Sequence, residues 1–244
     1  KSLMESEIAM KQTKQPENLK AFILGATGAV GRELVQELVK GKSWSEVTVV
    51  VRRQLDEWNS FSEEEKKKLK VITKENLDSL EDASQWNLAG YSSVFCCLGT
   101  RLQAGKEQFI KVDKTYPLYG AKLAKHFGIP HYSMVSSGGA SKNSWYFYLK
   151  IKGEVEEELK AMKLPHLSIF QAGLLLNRRN DSRFIEKFLS WIPFIPSNEA
   201  ADVARSLRVE AELQHRAPSK EEKVVYGPKE IDKFAKFEKE GVGK

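Results

Sequence analysis

Short apolar runs recur along the chain, separated by segments whose apolar positions return every three or four residues. The runs at 21–24, 47–51, 71–73, 93–98, 131–136, 167–170 and 223–226 read as strands. Between the first two, Val30, Leu34, Val35, Leu38 and Val39 share one helical face, and the segment stops at Gly41. Further helices are expected over 107–126, closing at Gly128-Ile129-Pro130, and over 145–162, closing before Leu164-Pro165. Another is expected over 197–213, with Val203, Leu207 and Ala211 on one face, and the charged residues after Gly227 suit a surface helix. Strand and helix alternate, so the expected class is α/β: a doubly wound parallel sheet of about seven strands, helices on both faces, in a single domain over 20–244. Residues 1–19 are polar and aperiodic and read as a tail or surface helix, and 172–222 form the substrate-side region of the domain.

Composition narrows the function classes. A chain of 244 residues suits one large domain. Lys and Arg number 39 against 33 Asp and Glu, a surplus of +6. That surplus is spread through mixed runs such as 62–68, which pair along a solvated helix, so no nucleic-acid partner is expected. Cys96 and Cys97 are neighbours within a strand and point to opposite faces; they read as reduced core thiols of a cytoplasmic protein. Four scattered histidines and no Cys pair at ligand spacing leave a metal site without support. No apolar stretch is long enough to span a bilayer.

The first strand runs directly into Gly25-Ala26-Thr27-Gly28-Ala29-Val30-Gly31, a G-x-x-G-x-x-G turn that opens a helix. Gly25 suits the tight turn, Gly28 the approach of a pyrophosphate, and Gly31 close packing of helix on strand, with helix amides facing the phosphates. A site for NAD usually carries an acidic residue at the end of the second strand; this chain has Arg52-Arg53. Guanidinium forks match a 2′-phosphate, so NADPH/NADP+ is the expected cofactor, with Arg32 able to lean toward the same group. The plainer alternative is that the arginines flank a solvated strand end.

A second cluster joins Ser136 and Ser137, at the end of the fifth strand, to Tyr148 and Lys152 on the following helix. Tyr148 and Lys152 stand at i and i+4 and share a helical face; Tyr146 is a nearby decoy. A free phenol titrates near 10, so proton exchange near neutral pH needs a cation close by. The serines sit where such sheets bind ligands and can hydrogen-bond a substrate carbonyl; the sequence does not choose between them.

In this combination the chain resembles the atypical short-chain dehydrogenases/reductases, and more closely the Tat-interacting oxidoreductase family and its fungal mitochondrial relatives. The likeness rests on Leu24-Gly25-Ala26-Thr27-Gly28, Val51-Arg52-Arg53, Cys96-Cys97-Leu98-Gly99-Thr100, Ser136-Ser137-x-Gly-Ala140 and Tyr148-x-x-x-Lys152-Gly153-Glu154-Val155-Glu156. It covers about residues 20–180. It implies a Rossmann-type sheet, NADPH, and Tyr148, Lys152 and a serine as the catalytic set. Leu98, Gly99 and Thr100 would line the cofactor. It also implies a possible regulatory protein partner and association with the nucleus or an organelle surface. Two departures stand out: Asp113, where many relatives carry Asn, and Gln171-Ala172-Gly173, where Arg-Pro-Gly is usual.

The segment 184–196 is rich in large apolar residues and preceded by Arg178, Arg179 and Arg183. It suits an apolar small-molecule substrate or a moving cover, or more plainly a core or dimer contact. The oligomeric state stays open. The expected function is an NADPH-dependent oxidoreductase passing hydride to a carbonyl or related acceptor with Tyr148 as general acid. The alternative is an NADPH-binding regulator acting through a protein partner with little turnover.

Overall fold

The computed structural model describes residues 16–176, 197–216, 218 and 224–241. The tail at 1–15, the apolar stretch 184–196 and Arg178, Arg179 and Arg183 lie outside the described residues.

In chain order the strands are β1 (Leu19–Leu24), β2 (Trp44–Val51), β3 (Leu69–Thr73), β4 (Ser93–Cys96), β5 (His131–Ser137), β6 (His166–Ala172), β7 (Leu174–Leu176), β8 (Ser197–Glu199) and β9 (Val225–Tyr226). Seven of them form one parallel sheet in the order β3-β2-β1-β4-β5-β6-β9, while β7 and β8 pair in a separate ribbon. The helices are α1 (Ala29–Lys40), α2 (Glu63–Lys68), α3 (Lys106–Ile110), α4 (Tyr116–His126), α5 (Phe147–Ala161), α6 (Ala200–Arg216) and α7 (Pro228–Gly241). Strand order reverses between β1 and β4, which opens a crevice at their carboxyl ends.

Alternation along the strands divides the core in two. Ala21, Ile23, Val47, Val49, Val51, Phe95 and Phe170 face α1, α6 and α7. Phe22, Leu24, Val50, Val94, Cys96, Tyr132, Met134 and Ile169 face α4 and α5. Each large side chain so buried contributes roughly 1.5–3 kcal/mol. The adjacent cysteines obey the same rule: Cys96 joins the second core, Cys97 packs against the first, and both are free thiols. Burial pushes both thiols up.

Local chemistry explains the element ends. Ser62 and Glu65 form a reciprocal capping box on α2, the mixed-charge run read from sequence as a solvated helix. The strand expected to reach 98 stops at Cys96, because its partner β1 ends at Leu24 where the chain turns; the Cys97 amide still reaches the Leu24 carbonyl at 2.8 Å. The helix expected from 197 begins at Ala200. Asn198 is buried there, accepting from the Gly173 amide at 2.9 Å and donating to Asp232 at 2.8 Å, and it holds Ser197–Glu199 extended beside β7. The helix expected from 145 starts at Phe147 and leaves Trp145 and Tyr146 exposed. The helix expected over 107–126 is interrupted by a π-helical turn, Lys111–Thr115, between α3 and α4.

A polar network is buried at the amino ends of the central strands, away from the crevice. His131 lies between Ser93 and Glu210, at 3.1 Å from each, and Ser93 also contacts His215 at 3.1 Å. Burial, with His131 and His166 nearby, pulls the His215 pKa down to about 4 from 6.5. The neutral ring is therefore the folded form. Below pH 6.5 the unfolded chain takes up a proton that the folded chain refuses, so stability falls as pH drops toward 4. Solvent screening of the partly open ring reduces the effect to roughly 1–2 kcal/mol. Urea unfolding between pH 7 and 4 should show this slope, flattened in His215→Gln and retained in His126→Gln at an exposed position.

Candidate functional site

The carboxyl ends of β1, β4 and β5 carry the sequence-marked residues. Gly25 has φ +84, and a Cβ on it would lie 2.6 Å from the Cys97 carbonyl group. The turn therefore presses backbone against backbone at the end of β4, which only glycine permits. A Cβ on Gly31 would stand 2.1 Å from the Gly25 carbonyl oxygen, so α1 rests directly on the turn. Gly28 is the N-cap residue of α1 with no side-chain cap, and the first turn of the helix holds no acidic residue. The first-turn amides of Ala29, Val30 and Gly31 thus have no side-chain cap among the described residues, an arrangement that can accept an anion.

Arg52 and Arg53 extend from the end of β2, both exposed and without an ion-pair partner among the described residues. Arg32 does not join them. Its Nε donates to the Thr27 carbonyl at 3.0 Å and its Nη1 lies 3.6 Å from Glu57, so it braces the glycine turn instead of reaching for a ligand.

Lys152 is buried, and its Nζ lies 2.8 Å from Asp113 Oδ1. The other Asp113 oxygen accepts the Thr100 amide at 2.8 Å. Burial works against the ammonium charge, but the Asp113 carboxylate outweighs it and lifts the Lys152 pKa above the ordinary lysine value. Tyr148, half-buried one turn earlier on α5, packs its ring on Phe109 of α3 with centroids 5.6 Å apart. Leu98 lies against the glycine turn, Gly99 against Asp113, and Thr100 is tied to Asp113.

The two serines part company. Ser136 follows Tyr132 and Met134 toward the α5 side, is buried, and donates to Glu156 Oε1. It is a strut under α5, not a free hydroxyl in the crevice. Ser137 is half-buried, and among the described residues its Oγ reaches only the Gly138 carbonyl, at 3.4 Å. Gln171 explains one departure noted above: its amide donates to both oxygens of Glu156, at 3.1 and 2.9 Å. Burial raises the Glu156 pKa, and these bonds from Ser136 and Gln171 oppose the rise. Sequence reasoning named neither Glu156 nor Asp113 as a site residue. Glu156 could have been found from its spacing, since Tyr148, Lys152 and Glu156 recur every four residues along α5.

The profile of a family described as NAD(P)H-binding matches residues 25–207. The chain belongs to the NAD(P)H-binding family. Within it, Protein HTATIP2 of Rattus norvegicus is 37% identical over 198 residues, covering 78% of each chain. Protein FMP52, mitochondrial, of Debaryomyces hansenii is 32% identical over 216 residues, covering 82% of this chain and 92% of that one. A putative NAD-dependent epimerase/dehydratase from Bacillus halodurans has the same fold, with TM-score 0.62 and 22% identity over 90% of this chain and 99% of its own. This NAD(P)H-binding protein is thus oxidoreductase-like in family and Rossmann-like in fold. No helix among the described residues is long and apolar enough to cross a membrane.

The serines separate by experiment. Ser136→Ala removes one of the donors to the buried Glu156 carboxyl, leaving Gln171 to hold it, and should cost about 1 kcal/mol in denaturant unfolding, whereas Ser137→Ala should stay within about 0.5 kcal/mol of wild type. Gly31→Ala drives a methyl into the Gly25 carbonyl and should lower stability by about 2 kcal/mol or more in the same assay.

Proposed function

We propose that this protein is an NADPH-dependent oxidoreductase that reduces a carbonyl or related acceptor, with Tyr148 as general acid. The observation that carries the reading is the buried Lys152, paired with Asp113 and one helical turn from Tyr148, in a sheet whose first strand runs into an uncapped glycine turn. The amides of 29–31 would hold the pyrophosphate, Arg52 and Arg53 the 2′-phosphate, Leu98 to Thr100 the ribose side, and Lys152 the nicotinamide ribose. A bound reduced nicotinamide supplies hydride chemistry. Tyr148 would give its hydroxyl proton to the substrate oxygen, so that the carbonyl leaves as an alcohol. The Lys152 ammonium stabilises the phenolate oxygen that remains, and Ser137 Oγ donates to the substrate oxygen. Exposed Trp145 and Tyr146, just ahead of Tyr148, favour an apolar substrate.

A regulatory reading, in which NADPH binding controls capture of a protein partner, draws support from the pairing of Lys152 with Asp113 and of Ser136 with Glu156, which ties up two of the polar groups of the site. The cytoplasm is the proposed compartment under either reading, and the name of the D. hansenii relative gives mitochondria as the rival outcome of cell fractionation.

Parallel fluorescence titrations with NADPH and NADH should show tighter NADPH binding, with Arg52→Ala losing roughly 10–100-fold of that preference. Equal binding of both nucleotides, unchanged by the substitution, overturns the cofactor assignment. On a panel of carbonyl compounds Tyr148→Phe should lose about 100-fold or more in turnover with NADPH affinity kept. Nucleotide binding without turnover in the wild type transfers the reading to the regulator.

A further inference from the structure

The crossover from β3 to β4 is built without an α-helix. Parallel strands are usually joined by a helix that lies over the sheet, but residues 74–92 fold into two short 3₁₀ turns, Asp78–Glu81 and Ala83–Gln85. The outer part of the sheet face shared with α4 and α5 is therefore left to side chains. A cavity of about 310 Å³ opens there, floored by Thr48 of β2 and by Lys70 and Ile72 of β3, and walled by Lys74, Trp86 and Leu88. Its volume is that of a pocket for a small organic molecule. Thr48 and Lys70 stand three residues before the ends of β2 and β3, which puts the floor ~10 Å along the strands from the nucleotide crevice.

The polar groups around the cavity satisfy one another, with one exception. Tyr91 donates to Glu46 at 2.6 Å, so Thr48 is the donor in its 2.7 Å contact with the Tyr91 hydroxyl, and Lys70 donates to the other Glu46 oxygen at 2.7 Å. Burial and the Glu46 carboxylate push the Tyr91 pKa up to about 12, so the phenol keeps its proton. Trp86 is fixed edge-on to Phe22, with centroids 5.4 Å apart, and its Nε1 donates to the Ser79 carbonyl at 2.7 Å. The exception is Lys74. This half-buried residue holds its ammonium 5.9 Å from the centre of the Trp86 ring and meets no carboxylate among the described residues. A ligand that displaces water from the ammonium must bring a negative charge to it. The cavity is lined by no arginine, so it offers a carboxylate one point charge and offers a phosphate no fork.

We infer that this cavity is a second ligand site, which takes an aromatic monocarboxylate: the carboxylate on Lys74, the ring against Trp86, Ile72 and Leu88. The site is independent of the nucleotide reading above.

The probe is phenylacetate, with the uncharged phenylacetamide beside it. Each is titrated into the full chain by calorimetry and followed through the Trp86 indole N–H signal in NMR, which Trp86→Phe assigns. Phenylacetate should bind and move that signal, and the amide should bind at least about 10-fold more weakly. Lys74→Gln should lose about 10-fold in affinity for phenylacetate and Lys74→Glu more, whereas Lys74→Arg should stay within about 3-fold of wild type. Position 74 reaches solvent, and thermal unfolding should match wild type in all three variants. Saturating NADPH and Arg52→Ala should both leave phenylacetate binding unchanged. No binding at about 5 mM probe, equal binding of acid and amide, or an affinity indifferent to Lys74→Gln overturns the inference. So does displacement of phenylacetate by NADPH, which would put the probe in the crevice.

Discussion

Where β1 becomes α1, main chain packs on main chain with no side chain between. The Gly25 carbonyl supports Gly31 from below and receives the Gly28 amide at 3.0 Å, while the Gly25 Cα sits against the Cys97 carbonyl. Everything in the crevice is referenced to that contact. It fixes how far α1 projects its amides over the sheet, and it sets the height of Leu98 to Thr100 above the end of β4. A single added methyl would lift the helix from the strand and pull its first-turn amides away from the wall opposite.

On the other side of the crevice, order is carried by polar side chains instead. Tyr148, Lys152 and Glu156 follow one another along α5, and each is held by a different element. Phe109 supports the ring, Asp113 the ammonium, and Ser136 with Gln171 the carboxylate. Because these partners come from α3, the π turn, β5 and β6, helix α5 can neither rotate nor slide without breaking a buried polar bond. Unpaired buried polar groups are costly, so the arrangement selects one register for the helix.

Gln171 uses its amide to hold Glu156, and Asp113 supplies a full charge to Lys152. In each case the partner is complementary. The amino-terminal end of the sheet is polar for a separate reason: His131, Glu210 and Ser93 satisfy one another beneath α6, remote from the crevice.

Hydrophobic period exposed the parallel sheet and most of its helices, and glycine spacing the turn after β1, because burial on two faces and the need for φ above zero both leave local marks in the sequence. The opposite facing of Cys96 and Cys97 was legible for the same reason. Ser136 and Ser137 could not be told apart, since strand parity assigns faces only once the packing of α5 is known. That Arg32 turns toward Thr27 and Glu57 is likewise not legible in the sequence, since both contacts are made only in the folded chain. The extended run at Ser197–Glu199 and the π turn escaped prediction because Asn198 and Asp113 find their partners 25 and 39 positions away. Local sequence determines what can be helix, strand or turn; which polar groups meet across the crevice is decided only when the sheet brings distant segments within hydrogen-bonding reach.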